Sequence, residues 1–365
     1  MTAGNTNEGI RWRSYVPTPR RVSAVYLLIV IFVVFGAWIP DVFLRRSSIE
    51  FVLSTQAVVG VIALAALVPL VAGVLDFSVG SLLGLSLVVM TVLSQHHVNW
   101  VLSAVIAVGV CAIPGLISGF LVVNLNINSL IATLGMSEAI AAIALYISKD
   151  SEEVAPFSQT YLNLATGDWL GIPKVVWFLA IIAVVVYYFL EWTPLGRALF
   201  ATGANREAAR LAGVPTDRLV RGSLVTSALI AGVGGVIYGA QVQSFSNSYG
   251  QTFLFPAFAA VFFGATQFRN RPNVWGTMLA VYVLAYGVQG LEQATATGSY
   301  WLTPLFDGVA LLVAVALASH AEQGSARQKA KAILLPQELQ GKSPTASENG
   351  AAVGSNVGRR IDSPG

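Results

Sequence analysis

Few side chains in this chain can do chemistry, and most of those that can sit inside long apolar runs. Asp76 follows some twenty-five uncharged residues, in "VAGVLDFSVGSLLGLSL". An acid at such a place is costly to bury, which makes it a candidate for handling a solute or an ion. Asp76 and Ser78 are also residue types that cap helix starts. Gly73, Gly80 and Gly84 permit a sharp break and close helix packing, with Ser81 beside them. On sequence alone, Asp76, Ser78, Gly80 and Ser81 therefore fit either a structural break or a transport pathway.

A second set lies in "NSLIATLGMSEAIAAIAL". Asn128 or Ser129 suits a helix start. Thr133 and Ser137 share one face at i, i+4. Glu138 is expected well inside the run, lining a wet cavity or paired across a bundle. Late in the chain, "GLEQATATGSYW" and Asp307 again put polar groups at the end of an apolar run.

The third set is "GANREAARLAGVP", residues 203–215. Asn205 suits a helix cap, and Gly213 suits the left-handed position that ends a helix. Ala208, Leu211 and Ala212 fall on one face. Arg206 and Arg210 share the other, with Glu207 three residues before Arg210. A helix of about two turns is marginal in water, where about 12–15 residues are needed. It needs a surface to rest on, either lipid headgroups or a partner protein.

Other chemistry finds no residues. Cys111 is the only cysteine, so no intrachain disulfide forms. His96, His97 and His320 do not make a metal-ligand pattern, and no metal site is expected. There is no G-x-x-x-x-G-K-[ST] phosphate loop, no H-E-x-x-H and no G-x-S-x-G. No catalytic residue and no cofactor are expected in this chain, and no nucleic-acid partner.

The elements that must position these groups are transmembrane helices. The 365 residues are 55% hydrophobic and 11% charged, with a mean hydropathy of +0.69. Soluble domains carry about 25% charged residues. The apolar runs are long and unbroken rather than alternating, so the expected fold is all-α, a polytopic helical bundle in a lipid bilayer. The first apolar run lacks a small-residue cleavage site and reads as a retained span. Ten spans are expected, near 22–39, 51–74, 78–95, 100–123, 129–147, 174–191, 222–242, 252–268, 273–291 and 302–319. Arginines concentrate in 192–221, at Arg197, Arg206, Arg210, Arg218 and Arg221, and basic residues recur at Arg269, Arg271, Arg327, Lys329 and Lys331. By the positive-inside rule these segments are cytoplasmic, as are both termini. Arg45 and Arg46 are exceptions. The acidic loop 148–173 falls outside. Residues 1–21 read as a cytoplasmic N-terminal segment, 22–320 as the membrane domain, and 321–365 as a disordered cytoplasmic tail, too poor in large apolar residues to fold alone.

These motifs together resemble the membrane-spanning permease subunits of bacterial ATP-binding-cassette importers, in the ribose/xylose/galactose permease family. The resemblance covers most of residues 50–317. It rests on Gly73, Asp76, Ser78, Val79, Gly80 and Ser81; on "IATLGM"; and on Thr193, Gly196, Arg197, Asn205, Ala208, Ala209, Gly213 and Val214. Ala141 and Ala142 stand where the family commonly has an Arg-Gly pair. "FFGATQFRNRPNVWG" replaces its Gly-rich block near span 8, keeping Gly264, Thr266 and Gly276. The resemblance implies a permease in the bacterial inner membrane that moves a small hydroxylated solute, sugar or sugar-like, by alternating access. It implies a cytoplasmic ATPase partner that holds ATP and Mg, a periplasmic or lipid-anchored solute-binding protein, and a second permease copy in a homodimer. It makes Asn205, Arg206, Glu207, Ala208, Ala209, Arg210 and Gly213 the coupling helix that seats on the ATPase. The rival reading is a proton-coupled secondary transporter using Asp76, Glu138 or Asp307 as a relay.

Overall fold

The protein is known from a computed structural model, which describes residues 23–149, 153–154, 156–246, 249–268, 271–295, 301–313 and 315–316. The expected N-terminal segment, residues 1–21, and the expected tail, residues 321–365, lie outside the described residues. So does Arg269.

The described chain is almost entirely helical. α1 (Ser23–Trp38) and the single turn α2 (Pro40–Phe43) lead into α3 (Arg46–Val71). A non-helical break, 72–78, separates α3 from α4 (Val79–Gln95). Then come α5 (Trp100–Val123), α6 (Ser129–Ser148), α7 (Gln159–Leu162) and α8 (Lys174–Trp192). The segment that follows holds α9 (Pro194–Ala204) and α10 (Arg206–Leu211). The chain re-enters the bundle through α11 (Thr216–Val242), α12 (Tyr249–Thr252), α13 (Leu254–Ala265) and α14 (Val274–Ala294), and the last described helix is α15 (Leu302–Val313).

Six of these helices, α3, α5, α6, α8, α11 and α14, are long and apolar enough to cross a membrane. Four shorter apolar helices, Ser23–Trp38, Val79–Gln95, Tyr249–Ala265 and Leu302–Val313, fall where the remaining four spans were expected. The chain is a multi-pass all-α membrane protein. Two expected spans are built differently from simple crossings. Residues 216–221 belong to α11 rather than to a loop, so Arg218 and Arg221 sit on its first turns. The span expected at 252–268 is a short α12 followed by α13 of 12 residues. At 1.5 Å per residue, α13 runs ~18 Å and cannot cross a ~30 Å hydrocarbon core alone.

The core forms around α3, which is apolar on every side and buried from Ala57 to Pro69. It contacts α4, α8, α11, α13 and α14. α11 reaches α3, α4 and α5 because it is glycine-rich. At Gly235 an added Cβ would lie 2.4 Å from the Leu83 carbonyl oxygen, so only glycine permits this approach. The Ser86 hydroxyl then donates to the Gly232 carbonyl oxygen at 2.7 Å. Pro69 and Pro114 lie within helices α3 and α5, as neighbouring helices in a membrane allow.

Within the acidic loop expected at 148–173, the described residues form a small ordered cap. Glu153–Val154 pairs antiparallel with Ser244–Phe245, and Asp168–Trp169 pairs with Ile172–Pro173. The Tyr161 hydroxyl donates to the Val236 carbonyl oxygen at 2.5 Å, and its ring packs on Phe157 and Trp100. Burial pushes that hydroxyl's pKa up. The described residues of the "FFGATQFRNRPNVWG" segment make specific contacts. Arg271 Nη2 pairs with both carboxylate oxygens of Glu191 at 2.7 and 2.8 Å, and its guanidinium stacks 4.3 Å over the Phe200 ring. Asn273 caps α14 by accepting the Gly276 N–H at 2.7 Å.

Candidate functional site: a helix break and a peripheral arm

The break at 72–78 leaves backbone amides without helical partners, and polar side chains supply them. Asp76 is buried, and its Oδ1 accepts the Ser78 N–H at 3.0 Å and the Ser78 hydroxyl at 2.5 Å. Ser78 occupies the cap position of α4 but does not cap it with its own side chain. Of the two capping candidates, Asp76 is the one that accepts a backbone amide.

α6 completes the break from across a helix interface. Asn128 caps α6 by accepting the Leu130 N–H at 2.9 Å. Ser129 instead turns its hydroxyl to the break and accepts the Leu75 N–H at 3.3 Å. One turn on, Thr133 Oγ1 accepts the Phe77 N–H at 3.0 Å and donates to the Ser129 carbonyl oxygen at 2.8 Å. Another turn on, the Ser137 and Ser81 hydroxyls meet at 2.8 Å. Ser129, Thr133 and Ser137, spaced by four, thus form one polar stripe. The expected pairing of Thr133 with Ser137 on one face holds. The part played by Ser129 was hidden by its position beside Asn128.

Glu138 is not part of this cluster. It is exposed on the outer face of α6 and is not buried within its own bundle. The reason is angular. Ser137 points at α4, and the next residue is turned about 100° away from it.

α13 meets the break as well. The Phe77 and Phe258 rings stack with centroids 4.4 Å apart. Gly80 of α4 lies directly against Gly250 of α12; a Cβ at either would come within 2.4 Å of the other's carbonyl oxygen. α4 and the short α12 that precedes α13 are therefore joined by backbone contact.

In the arm α9–α10, the short helix α10 is bounded by Asn205 and Gly213 as the sequence suggested, while α9 is a helix within what was expected as loop. Thr193 caps α9 by accepting the Gly196 N–H at 3.1 Å, and Asn205 caps α10 by accepting the Ala208 N–H at 2.9 Å. Gly213 takes φ +85°, where glycine is favoured. Two details differ. Arg206 pairs with Asp217 at 2.9 Å, and no Glu207–Arg210 pair forms among the described residues. Ala209 is turned inward and buried, where α10 contacts α9 and α11, while Ala208, Leu211 and Ala212 are exposed. Leu211 is 87% exposed. The outward surface of α10 is thus the 208–211–212 face, flanked by Arg210.

The arm touches the break. An added Cβ on Gly203, in α9, would stand 2.1 Å from the Val71 carbonyl oxygen, and one on Gly73, at φ +83°, would stand 3.1 Å from the Gly203 Cα. Gly203 was quoted in the arm's sequence, yet nothing there signalled its contact with Gly73.

A broken helix, a second part-length helix and a basic arm set on the break are features of a conducting membrane unit. The sequence profile of the family described as branched-chain amino acid transport system / permease component matches residues 48–318. The chain belongs to that family. It is 29% identical over 274 residues to the autoinducer 2 import system permease protein LsrD of Escherichia coli strain K12, covering 73% of this chain and 83% of the relative. The protein of the same name from Shigella flexneri matches to the same extent. No solved structure matches. As a family permease, the chain is a transport subunit, and the break, α6 and the arm all lie within the matched residues.

Proposed function

We propose that this chain is the permease subunit of an ATP-driven importer, carrying a small hydroxylated solute across the bacterial inner membrane by alternating access. Family membership supports the permease role, and the relatives' name, an autoinducer 2 import system, supports import. On this reading the ATPase is a separate cytoplasmic protein that holds ATP and Mg. A periplasmic or lipid-anchored binding protein delivers the solute, and a second copy of the chain completes the pathway.

Arginine placement sets the orientation. Arg197, Arg206, Arg210, Arg218 and Arg221 cluster at the arm, which puts the arm and both termini in the cytoplasm. Asn205 to Gly213 then dock on the ATPase through the exposed 208–211–212 face, with Ala209 holding α10 to its own subunit.

The observation that carries the proposal is the backbone contact between Gly203 and residues 71–73. No side chain cushions it. A push on α10 passes through the short α9 into the α3–α4 break, where Asp76, Ser78, Ser81, Thr133 and Ser137 hold the two halves in register. Packed interfaces switch between discrete arrangements rather than deform gradually, so such a push tips the break between two states.

The test is uptake into vesicles that hold the whole complex. ATP-driven import survives collapse of the proton gradient and stops with vanadate. Uptake that ignores vanadate and dies with the gradient, and with Asp76→Asn, overturns the proposal in favour of proton coupling.

A further inference from the structure

Two apolar cavities on the flank of the bundle are used neither by the break nor by the arm. One, of about 320 Å³, lies between α3, α8 and α11; the other, of about 220 Å³, lies between α8, α11 and the residues just after α7. Ile181, Ile182 and Val233 line both, so the two are stretches of one groove. Its origin is a packing gap: α8 and α11 each pack on α3 but barely touch each other. Ile181 and Val185 at its rim are 58% and 60% exposed, so the groove opens outward from the bundle.

The walls follow helical periodicity. On α8 the lining recurs at Phe178, Ile182, Val185 and Phe189, and on α11 it runs from Thr226 to Ala240. At 1.5 Å per residue the α11 wall is about 21 Å long. One leaflet's share of a ~30 Å hydrocarbon core is about 15 Å, so the groove holds a whole acyl chain. The hydroxyl of Thr226, the one polar side chain in the lining, already donates to the Gly222 carbonyl oxygen at 2.8 Å. Water does not fill an apolar cavity. Left empty, the gap would forfeit the dispersion contacts of its lining. A helix is about 10–12 Å across and too wide for a gap of this volume.

The end away from the arm is polar. Lys174 stands one turn before Phe178 on the same face of α8. Its ammonium donates to the Asn163 carbonyl oxygen at 2.8 Å, beside Leu164 of the lining. An ammonium carries three donors. Among the described residues no acid forms an ion pair with it. Trp177, whose indole N–H donates to the Trp169 carbonyl oxygen at 3.3 Å, marks the membrane interface at this level.

We propose that this groove is a lipid site: it holds one acyl chain of a glycerophospholipid, whose phosphate meets Lys174. The far end of the chain lies beside Phe189. The carbonyl oxygen of that residue accepts the hydroxyl of Thr193, the cap of α9, at 2.6 Å, so the lipid reaches the root of the arm. Only the choice of leaflet, the outer one, rests on the proposed orientation.

The test titrates the full-length chain in dodecyl maltoside with phosphatidylglycerol that carries a photoreactive diazirine midway along its palmitoyl chain. Labelled peptides are identified by mass spectrometry. Label on α8 and α11 is expected to saturate, while label near Val105, 66% exposed on α5, rises in proportion to the lipid added. Unlabelled phosphatidylethanolamine is expected to compete, and excess inorganic phosphate is not. Lys174→Gln is expected to raise the half-saturating lipid concentration about fivefold. Val233→Trp fills the groove where its two stretches meet and is expected to bring its label down to the Val105 level. Ile181→Trp, at the exposed rim, does the same should Val233→Trp fold poorly. Label on α8 and α11 that never saturates, or that survives both tryptophans, overturns the proposal. So does competition by inorganic phosphate in place of phosphatidylethanolamine, or an unchanged half-saturation point in Lys174→Gln.

Discussion

Thr133 of α6 closes a gap in a helix it does not belong to: its Oγ1 accepts the backbone N–H of Phe77 at 3.0 Å, near the end of the break between α3 and α4. The bond spans 56 residues of sequence, and the Thr133 side chain is wholly buried. A backbone donor left unpaired at such a place costs about 1–3 kcal/mol. Thr133→Val, which keeps the shape and removes the acceptor, is expected to destabilise the chain by that amount and to lower uptake. Thr133→Ser keeps the acceptor and is expected to lose far less. Thermal aggregation of the purified chain in detergent separates the two. Equal stability of the valine and serine forms would show that Phe77 does not depend on this bond.

Asp76 acts on the same break from within. Its Oδ1 serves two donors of Ser78, the amide and the hydroxyl. Asparagine offers the same oxygen and caps about as well. Asp76→Asn is therefore expected to keep most of the uptake. Asp76→Leu strands both donors in a buried site and is expected to cost on the order of 3 kcal/mol and abolish uptake. Folded yield by size exclusion, read beside uptake, checks both. A well-folded Asp76→Asn chain with no uptake would point to a charge that the capping role does not require.

Gly80 and Gly250 predict a steric effect of a different size. A methyl group at Gly80 would lie 2.4 Å from the Gly250 carbonyl oxygen, which is backbone and cannot swing aside. Gly80→Ala is expected to force α4 and α12 apart, at a cost of about 1–3 kcal/mol. Gly109, which has nothing near it, is the control, and Gly109→Ala is expected to be neutral. Melting curves of the two variants should differ by several degrees, and matching curves would argue against the contact.

The helical class, the positions of ten apolar elements and both ends of α10 were legible because each follows from local sequence. Long uncharged runs admit only helices in lipid, and Asn205 and Gly213 act on neighbours within a few residues. What could not be read depends on which face of one helix meets another. Glu138 looked like an interior acid because its run is apolar, but burial turns on an angle set by Ser137 and Ser81. Ala209 looked equivalent to Ala208, and only the packing of α10 turns one inward and the other out. The α12–α13 interruption left a run of apolar residues that reads as one span, and Gly250 carries no mark of the partner it meets. The Gly73–Gly203 contact joins residues 130 positions apart, beyond any periodicity.

Sidedness is checked with cysteines at exposed positions of the two ends. With Cys111 replaced, Gln159→Cys is expected to react with an impermeant thiol reagent in intact cells. Ala212→Cys is expected to react only after lysis. Both side chains are exposed, so access reports topology rather than burial. Ser223, near the same end as Ala212, is buried and would be a poor reporter. Labelling of both cysteines from outside would overturn the proposed orientation.

The coupling proposal makes a prediction at Leu211. A leucine that is 87% exposed on a six-residue helix adds little to the fold of its own chain. Surface substitutions away from special features usually change stability by less than ~0.5 kcal/mol. Leu211→Glu should therefore insert and melt like the wild type. If the 208–211–212 face seats on the ATPase, the buried glutamate would meet an apolar or cation-poor groove and weaken the complex by about 2 kcal/mol or more, as central interface residues do. Co-purification of the ATPase would fall by an order of magnitude or more, and hydrolysis would lose its dependence on the solute-binding protein. Ala209→Glu is the instructive contrast. It places a charge against α9 and α11 within the subunit, so it should damage the arm itself and lower melting as well as coupling. If Leu211→Glu keeps both the ATPase and uptake at wild-type levels, α10 does not make the coupling contact, whatever Ala209→Glu does.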